Sequence, residues 1–154
     1  MIQGFEPVWD CRSKVLILGS FPSVKSRDVG FYYGNAQNRF WKMLAEIFGE
    51  VEPKGVVDKK SFLFRHRIAL WDVVDSCEIV GSMDKDIKNE VLSDVYGLLE
   101  KTDIELIICN GKKSYELFSK NFTADCDVRC LPSTSPANAR YNIEPWRDAL
   151  ERWL

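Results

Sequence analysis

One histidine, His66, in 154 residues leaves no material for a histidine-rich metal site. The five cysteines, Cys11, Cys77, Cys109, Cys126 and Cys130, are odd in number and scattered, with only the last two close together. That spacing matches neither a zinc nor an iron–sulfur motif, and it reads as reduced thiols in a cytoplasmic protein that needs no metal. No apolar run approaches the roughly 18 residues of a membrane span. Residues 1–10 lack the basic and apolar segments of a signal peptide. An excess of positive charge is missing too. Lys and Arg number 21 against 23 Asp and Glu, a formal net charge of -2, which argues against a strongly basic nucleic-acid binder. Charged residues at 29% and hydrophobic ones at 45% exclude a disordered chain and suffice for a core. Without a repeat, a low-complexity tract or a composition break, residues 1–154 read as a single domain.

Four short apolar runs read as strands: residues 14–18 (KVLIL), 68–74 (IALWDVV), 104–109 (IELIIC) and 128–131 (VRCL). They lack clean polar alternation, as strands covered on both faces do. Helical patterns alternate with them. Residues 38–48 place Phe40, Met43, Leu44, Ile47 and Phe48 on one stripe, with Asn38 as N-cap and Gly49 as stop. Further helices are expected over 59–67, 86–101 and 112–122, and from Glu144 onward, where Pro145 suits a first turn. The alternation predicts an α/β fold, a three-layer α/β/α sandwich around a central, mostly parallel four-stranded sheet.

Parallel strands send all their C-termini to one edge, and ligands bind in the loops there. Two unusual segments follow proposed strands: residues 19–23 (GSFPS) and residues 132–138 (PSTSPAN), more than a hundred positions apart. A third lies between a loop and a helix, residues 30–41 (GFYYGNAQNRFW), with five aromatics, two Asn and one Gln. Phe40 and Trp41 read as core. Tyr32, Tyr33, Asn35, Gln37 and Asn38 are more than a loop needs to reach a helix. Aromatics beside amides suit a planar heterocycle, since the ring stacks while the amide donates and accepts at its edge.

At these residues the chain resembles the uracil-DNA glycosylase superfamily, and within it the hypoxanthine-DNA (deoxyinosine) glycosylase branch. The matching segments are residues 15–23 (VLILGSFPS), 31–41 (FYYGNAQNRFW), 68–73 (IALWDV), 81–84 (GSMD), 109–113 (CNGKK) and 131–139 (LPSTSPANA), in the family's order. The resemblance implies a single α/β/α domain that flips a damaged base out of DNA and hydrolyses its N-glycosidic bond, with no cofactor. That chemistry needs a pocket for the extruded nucleotide, a water beneath the anomeric carbon, and donors for charge on the departing base.

Relatives acting on mismatched uracil or thymine carry an Asn in the first motif that orients the water. Phe21 stands at that position here and has no such capacity. The deoxyinosine branch shares the loss, and the resemblance assigns the water to Asn38. Asn35 stands where this branch usually has His. Tyr33 matches the aromatic that stacks on the flipped base, though a Tyr there also suits surface packing. Gly19, Ser20, Phe21 and Pro22 are implied to shape the pocket floor, with Asn35 and Asn110 at the base. Asn110 is equally at home as a turn residue ahead of a helix. The loop with Ser133, Thr134, Ser135, Ala137 and Asn138 matches the motif that enters the minor groove, and otherwise reads as a Ser/Pro-rich connection. Ser23, Lys112, Lys113, Arg140 and Lys25 are candidate phosphate contacts, although single cations are commonly only solvated.

His66, in the run Arg65-His66-Arg67, reads as surface. Asp72 and Asp75 read as capping or loop carboxylates in preference to a glycosidase pair. The implied partner is DNA containing a deaminated base, bound by a monomer without membrane or metal. Three alternatives stay open: a uracil or mismatch glycosylase, a non-catalytic nucleotide- or nucleic-acid-binding module, and a small-molecule enzyme built on Asp72 and Asp75. For a DNA enzyme the charge of -2 predicts asymmetry, a basic edge on an otherwise acidic domain.

Overall fold

The computed structural model describes residues 1–79 and 87–154. The 81–84 match and the first residue of the helix expected over 86–101 lie outside the described residues.

The chain opens with a two-residue strand, β1 (Ile2–Gln3), and then β2 (Val15–Gly19), whose five residues are all buried. Three helices follow, α1 (Val24–Val29), α2 (Phe40–Phe48) and α3 (Gly55–Arg65). Next come β3 (Ile68–Asp72), β4 (Val74–Ile79), β5 (Ile87–Leu92) and α4 (Val95–Glu100). The chain closes through β6 (Leu106–Asn110), α5 (Lys112–Asn121), β7 (Asp127–Leu131), α6 (Ile143–Leu150) and a 3-10 turn at Glu151–Trp153.

The four strands read from apolar runs form one parallel sheet in the order β3-β2-β6-β7. Its two faces explain the unbroken apolar runs. Val15, Ile17, Ile68, Leu70 and Ile108 pack with Phe40, Leu44, Phe62 and Trp146 from α2, α3 and α6. Leu16, Leu18, Ala69, Ile107 and Cys109 pack with Val95, Leu98, Leu117 and Phe118 from α4 and α5. β2, β3 and β6 are therefore covered on both sides, whereas the edge strand β7, expected to be covered likewise, leaves Asp127, Arg129 and Cys130 exposed; the three-layer α/β/α arrangement is the observed one.

Two expectations change. The run 68–74 is not one strand. Val73 leaves β3, its N–H donating to the Gly19 carbonyl at 2.8 Å, and the chain re-enters as β4 in a second sheet of order β1-β4-β5. The first half of the helix expected over 86–101 is instead β5, paired antiparallel with β4. The β-branched Ile87 and Val91 and the break at Ser93-Asp94 favour a strand there. Asp94 then caps α4 by accepting from the Gly97 N–H at 3.0 Å.

In the parallel sheet, the connection from β2 leads to β3 on one side, and that from β6 leads to β7 on the other. The C-terminal ends of β2 and β6 thus flank a switch point, where open α/β sheets leave a crevice.

Candidate active site

The crevice is built first from the end of β2. Gly19 pairs in register with Asp72, whose Oδ1 sits 2.5 Å from where a β-carbon on Gly19 would lie. Glycine is needed there for close approach. Ser23 caps α1, its Oγ accepting from the Ser26 N–H at 3.1 Å. The buried Ser26 hydroxyl accepts in turn from the Gly34 N–H at 3.0 Å, tying the first loop to the aromatic segment.

Within that segment, roles divide by contact. The Tyr32 hydroxyl donates to the Glu6 carbonyl at 2.8 Å, and Trp41 Nε1 donates to the Tyr32 carbonyl at 3.0 Å. Both side chains are structural. Burial first, and then the charge of Asp72, raises the Tyr32 phenol above its ordinary range. Tyr33 has φ 52, a left-handed conformation unusual for a bulky residue, and its ring stacks on Phe40 with centroids 4.0 Å apart. Phe40 occupies one face of that ring, so stacking on a ligand would use the other.

A tight turn delivers Asn38. Asn35 Oδ1 accepts from the Gln37 N–H at 2.9 Å, and the Asn35 carbonyl accepts from the Asn38 N–H at 2.9 Å. Asn38 Oδ1 accepts from the Phe40 N–H at 3.0 Å. That bond closes a turn just ahead of the helix, which begins at Phe40 with Arg39, and not the expected Asn38, at its N-cap position. Arg39 clamps the facing loop. Its Nη1 donates to the carbonyls of Ser135 and Asn138, both at 3.1 Å, and its backbone N–H donates to the Thr134 carbonyl at 3.1 Å.

The loop after β7 is a chain of small turns. Ser133 Oγ accepts from the Ser135 N–H at 3.1 Å, and Ser135 Oγ from the Ala137 N–H at 3.2 Å. Asn138 Oδ1 accepts from the Arg140 N–H, and its Nδ2 donates to the Ser133 carbonyl. Asn110 and Thr134 bond reciprocally, Nδ2 to Oγ1 and Thr134 N–H to Oδ1, each at 3.0 Å. Thr134 is fully buried, so its hydroxyl secures the loop from inside and does not face a phosphate. Trp146 Nε1 donates to the Pro132 carbonyl at 2.8 Å, anchoring the loop to α6.

These segments enclose a cleft of about 750 Å³ at the C-terminal edge of the parallel sheet, large enough for an extruded nucleoside. Gly19, Ser20, Phe21, Pro22, Ser23, Tyr33, Asn38, Asn110, Lys112, Ser133, Thr134, Ser135, Ala137, Asn138 and Arg140 all line it. Asn35 does not: the turn that presents Asn38 uses its side chain instead. Lys112, Lys113 and Arg140 are the lining cations and Asp72 the lining carboxylate among the described residues. The cleft is thus locally basic on a chain of net charge -2.

Sequence reasoning misplaced one contributor, Asp72, and missed another, Arg39. Asp72 lines the cleft at 5% exposure, whereas Asp75 is turned to Gln3, whose Nε2 donates to its Oδ2 at 3.1 Å. The two carboxylates therefore do not act as a pair on one cavity. Arg39 escaped notice because its partners lie 96 and 99 positions away. His66 is no simple surface group: its ring stacks on Phe48 and meets Glu50, away from the cleft. Among the described residues no cluster of three or more His, Cys, Asp or Glu is arranged to hold a metal ion, and no helix is long and apolar enough to cross a membrane.

The family model described as the uracil DNA glycosylase superfamily matches residues 7–153. A hypoxanthine DNA glycosylase of Methanosarcina acetivorans is 37% identical over 142 residues, spanning 91% of this chain and 90% of that protein. One from Methanosarcina barkeri is 34% identical over 155 residues, spanning 97% and 98%. The chain is also similar to a protein of Methanosarcina acetivorans whose structure was solved by solution NMR. The TM-score is 0.84 at 33% identity, covering 98% of this chain and 97% of that one.

Proposed function

The chain belongs to the uracil-DNA glycosylase superfamily, and from that premise we propose that it is a monofunctional DNA repair glycosylase that releases hypoxanthine from deoxyinosine. We read residues 1–154 as one glycosylase domain acting as a monomer. The observation that carries this reading is the convergence of Asn38, Tyr33, the 19–23 loop and the 132–138 loop on one cleft.

In duplex DNA the glycosidic bond is out of reach, so the deoxyinosine must leave the stack and enter the cleft. Lys112, Lys113 and Arg140 hold phosphates at the rim, and the loop around Ser133 and Asn138 supports the opened strand. Phe21 and the backbone of Ser20 form the pocket floor, and the Tyr33 ring stacks on the base with the face opposite Phe40. Asn38 then positions the water. The Phe40 N–H fixes the amide plane through Oδ1, whose second lone pair accepts a proton of the water. That bond turns a water lone pair toward C1′. The C1′–N9 bond breaks with its electron pair going to the base, the water oxygen bonds C1′, and the released proton ends on the departing base or in solvent. The hydrolysis uses no cofactor and no amine nucleophile, so no strand cleavage follows.

Uracil offers a similar lactam edge, which favours uracil as a second substrate. Single-turnover assays on duplexes containing deoxyinosine or deoxyuridine separate the readings. Hypoxanthine release by the wild type, lowered at least about 100-fold in Asn38→Ala with DNA affinity retained, is the expected result. Release of uracil alone would transfer the specificity. Undiminished release by Asn38→Ala would remove that residue from the mechanism. Binding without release of any base would make the protein a non-catalytic module.

A further inference from the structure

An enzyme that removes deaminated bases must also refuse their parents, and one wall of the cleft carries the chemistry to do so. Asp72 ends β3 beside Gly19, lines the cleft, and is 5% exposed. Its Oδ1 is seated 2.5 Å from the position a β-carbon on Gly19 would take, so the glycine makes room for the carboxylate. The neighbouring amides are engaged elsewhere. Asn110 is bonded at both its atoms to Thr134, and Asn38 Oδ1 receives the Phe40 N–H.

Deamination converts a ring nitrogen that carries a lone pair into an N–H beside a new carbonyl. Hypoxanthine has this N–H at N1 and uracil at N3, whereas adenine N1 and cytosine N3 only accept. An ionised carboxylate likewise only accepts, and its two oxygens offer about four lone-pair sites, enough for a base N–H besides a protein donor. Facing a lactam it gains a charge-assisted bond, and facing adenine it opposes lone pair to lone pair. We propose that Asp72 is the specificity-determining residue of this site, its carboxylate accepting the lactam N–H of the flipped deaminated base and repelling the unaltered one. This rests on the glycosylase reading above and adds to it the group that reads the base.

The test compares Asp72→Asn and Asp72→Ala with wild type on deoxyinosine and on 1-methyldeoxyinosine, which lacks the N–H. Affinity for a duplex bearing a tetrahydrofuran abasic analogue, with no base to read, is the control. Wild type should cleave deoxyinosine at least about 100-fold faster than its methylated form, as sites built around a buried hydrogen bond do. Both variants should lose about 10- to 100-fold on deoxyinosine, the range of a hydrogen bond to a charged group. Abasic-duplex affinity and melting temperature should stay close to wild type. Asp72→Ala, with space opened at N1, should narrow the gap between the two substrates, while the isosteric Asp72→Asn should still reject the methyl. Deoxyinosine rates within threefold of wild type in both variants overturn the proposal, as does a parallel loss of abasic-duplex binding. A wild type that releases no base from either substrate or from deoxyuridine overturns the glycosylase reading itself, and this proposal with it.

Discussion

Removing the guanidinium of Arg39 should loosen the 132–138 loop while leaving the Asn38 side chain in place. Its Nη1 holds the Ser135 and Asn138 carbonyls, both at 3.1 Å, and its guanidinium carbon lies 4.7 Å from the Tyr141 ring centroid. Two charged hydrogen bonds at about 1.5 kcal/mol each, plus about 0.5 kcal/mol for an exposed cation–π contact, sum to roughly 3.5 kcal/mol. Arg39 is only half-buried, so solvent screening reduces this to about 2 kcal/mol. The loop must then be ordered on binding, and about 2 kcal/mol corresponds to roughly a thirtyfold rise in the enzyme concentration needed for half-maximal cleavage. In Arg39→Met the backbone bond to Thr134 and the Asn38–Phe40 hydrogen bond both remain. The single-turnover rate at saturating enzyme should accordingly change by less than about threefold, because only binding is affected. Arg39→Lys, able to place one donor in place of two, should fall between. Half-saturation within twofold of wild type would refute the reasoning and leave the Asn110–Thr134 pair as the loop's fastening. A loss in the saturated rate alone would mean that Arg39 acts on Asn38.

Three further outcomes follow from particular contacts. Gly111 sits at φ 96 and ψ 167, a region held almost solely by glycine, and a β-carbon there would lie 3.0 Å from Ser133 Cβ. Gly111→Ala should cost about 1–3 kcal/mol, read as a drop in melting temperature, and an unchanged melt would contradict the strain. Cys109 is buried, which pushes its thiol up to about 12, whereas Cys11 and Cys130 are exposed and Cys130 lines the cleft. Maleimide should label Cys11 and Cys130 first, and lesion-bearing DNA should protect Cys130 alone; protection of neither would place DNA elsewhere. Partial burial works to raise the Glu50 carboxyl, but hydrogen bonds from Arg65 and His66 outweigh it and hold the group below its ordinary 4.5. The folded value is the lower one, so this stabilisation is complete above about pH 4.5 and is lost as pH falls through the folded value. Glu50→Gln should flatten the acid limb of melting temperature against pH, and an acid limb identical to wild type would exclude the contribution.

Local chemistry made much of this protein legible. The apolar runs at β2, β3, β6 and β7 announced the four parallel strands, of which β2, β3 and β6 are buried on both faces while β7, at the edge, leaves Asp127, Arg129 and Cys130 exposed. The Phe40–Phe48 stripe announced its helix, and the 19–23 and 132–138 loops announced an edge where ligands bind. These signals survive in one dimension because each depends on neighbours a few residues away: periodicity, a cap, a turn residue.

What depended on distant partners was not legible. Residues 87–92 were read as helix because their strand state is stabilised only by pairing with β4. Asp72 read as a capping or loop carboxylate because its significance lies in meeting Gly19 across two strands, and Arg39 escaped notice because its partners are nearly a hundred positions on. Asn35 looked like a pocket amide until the turn claimed its oxygen. Local pattern alone suffices for the layers, the four-stranded parallel sheet and the edge that carries the cleft, but not for the second sheet of β1, β4 and β5. Which side chains face the cleft, and which merely hold others in place, was decided only by tertiary contacts, since burial and hydrogen-bond competition exist only once the strands are side by side.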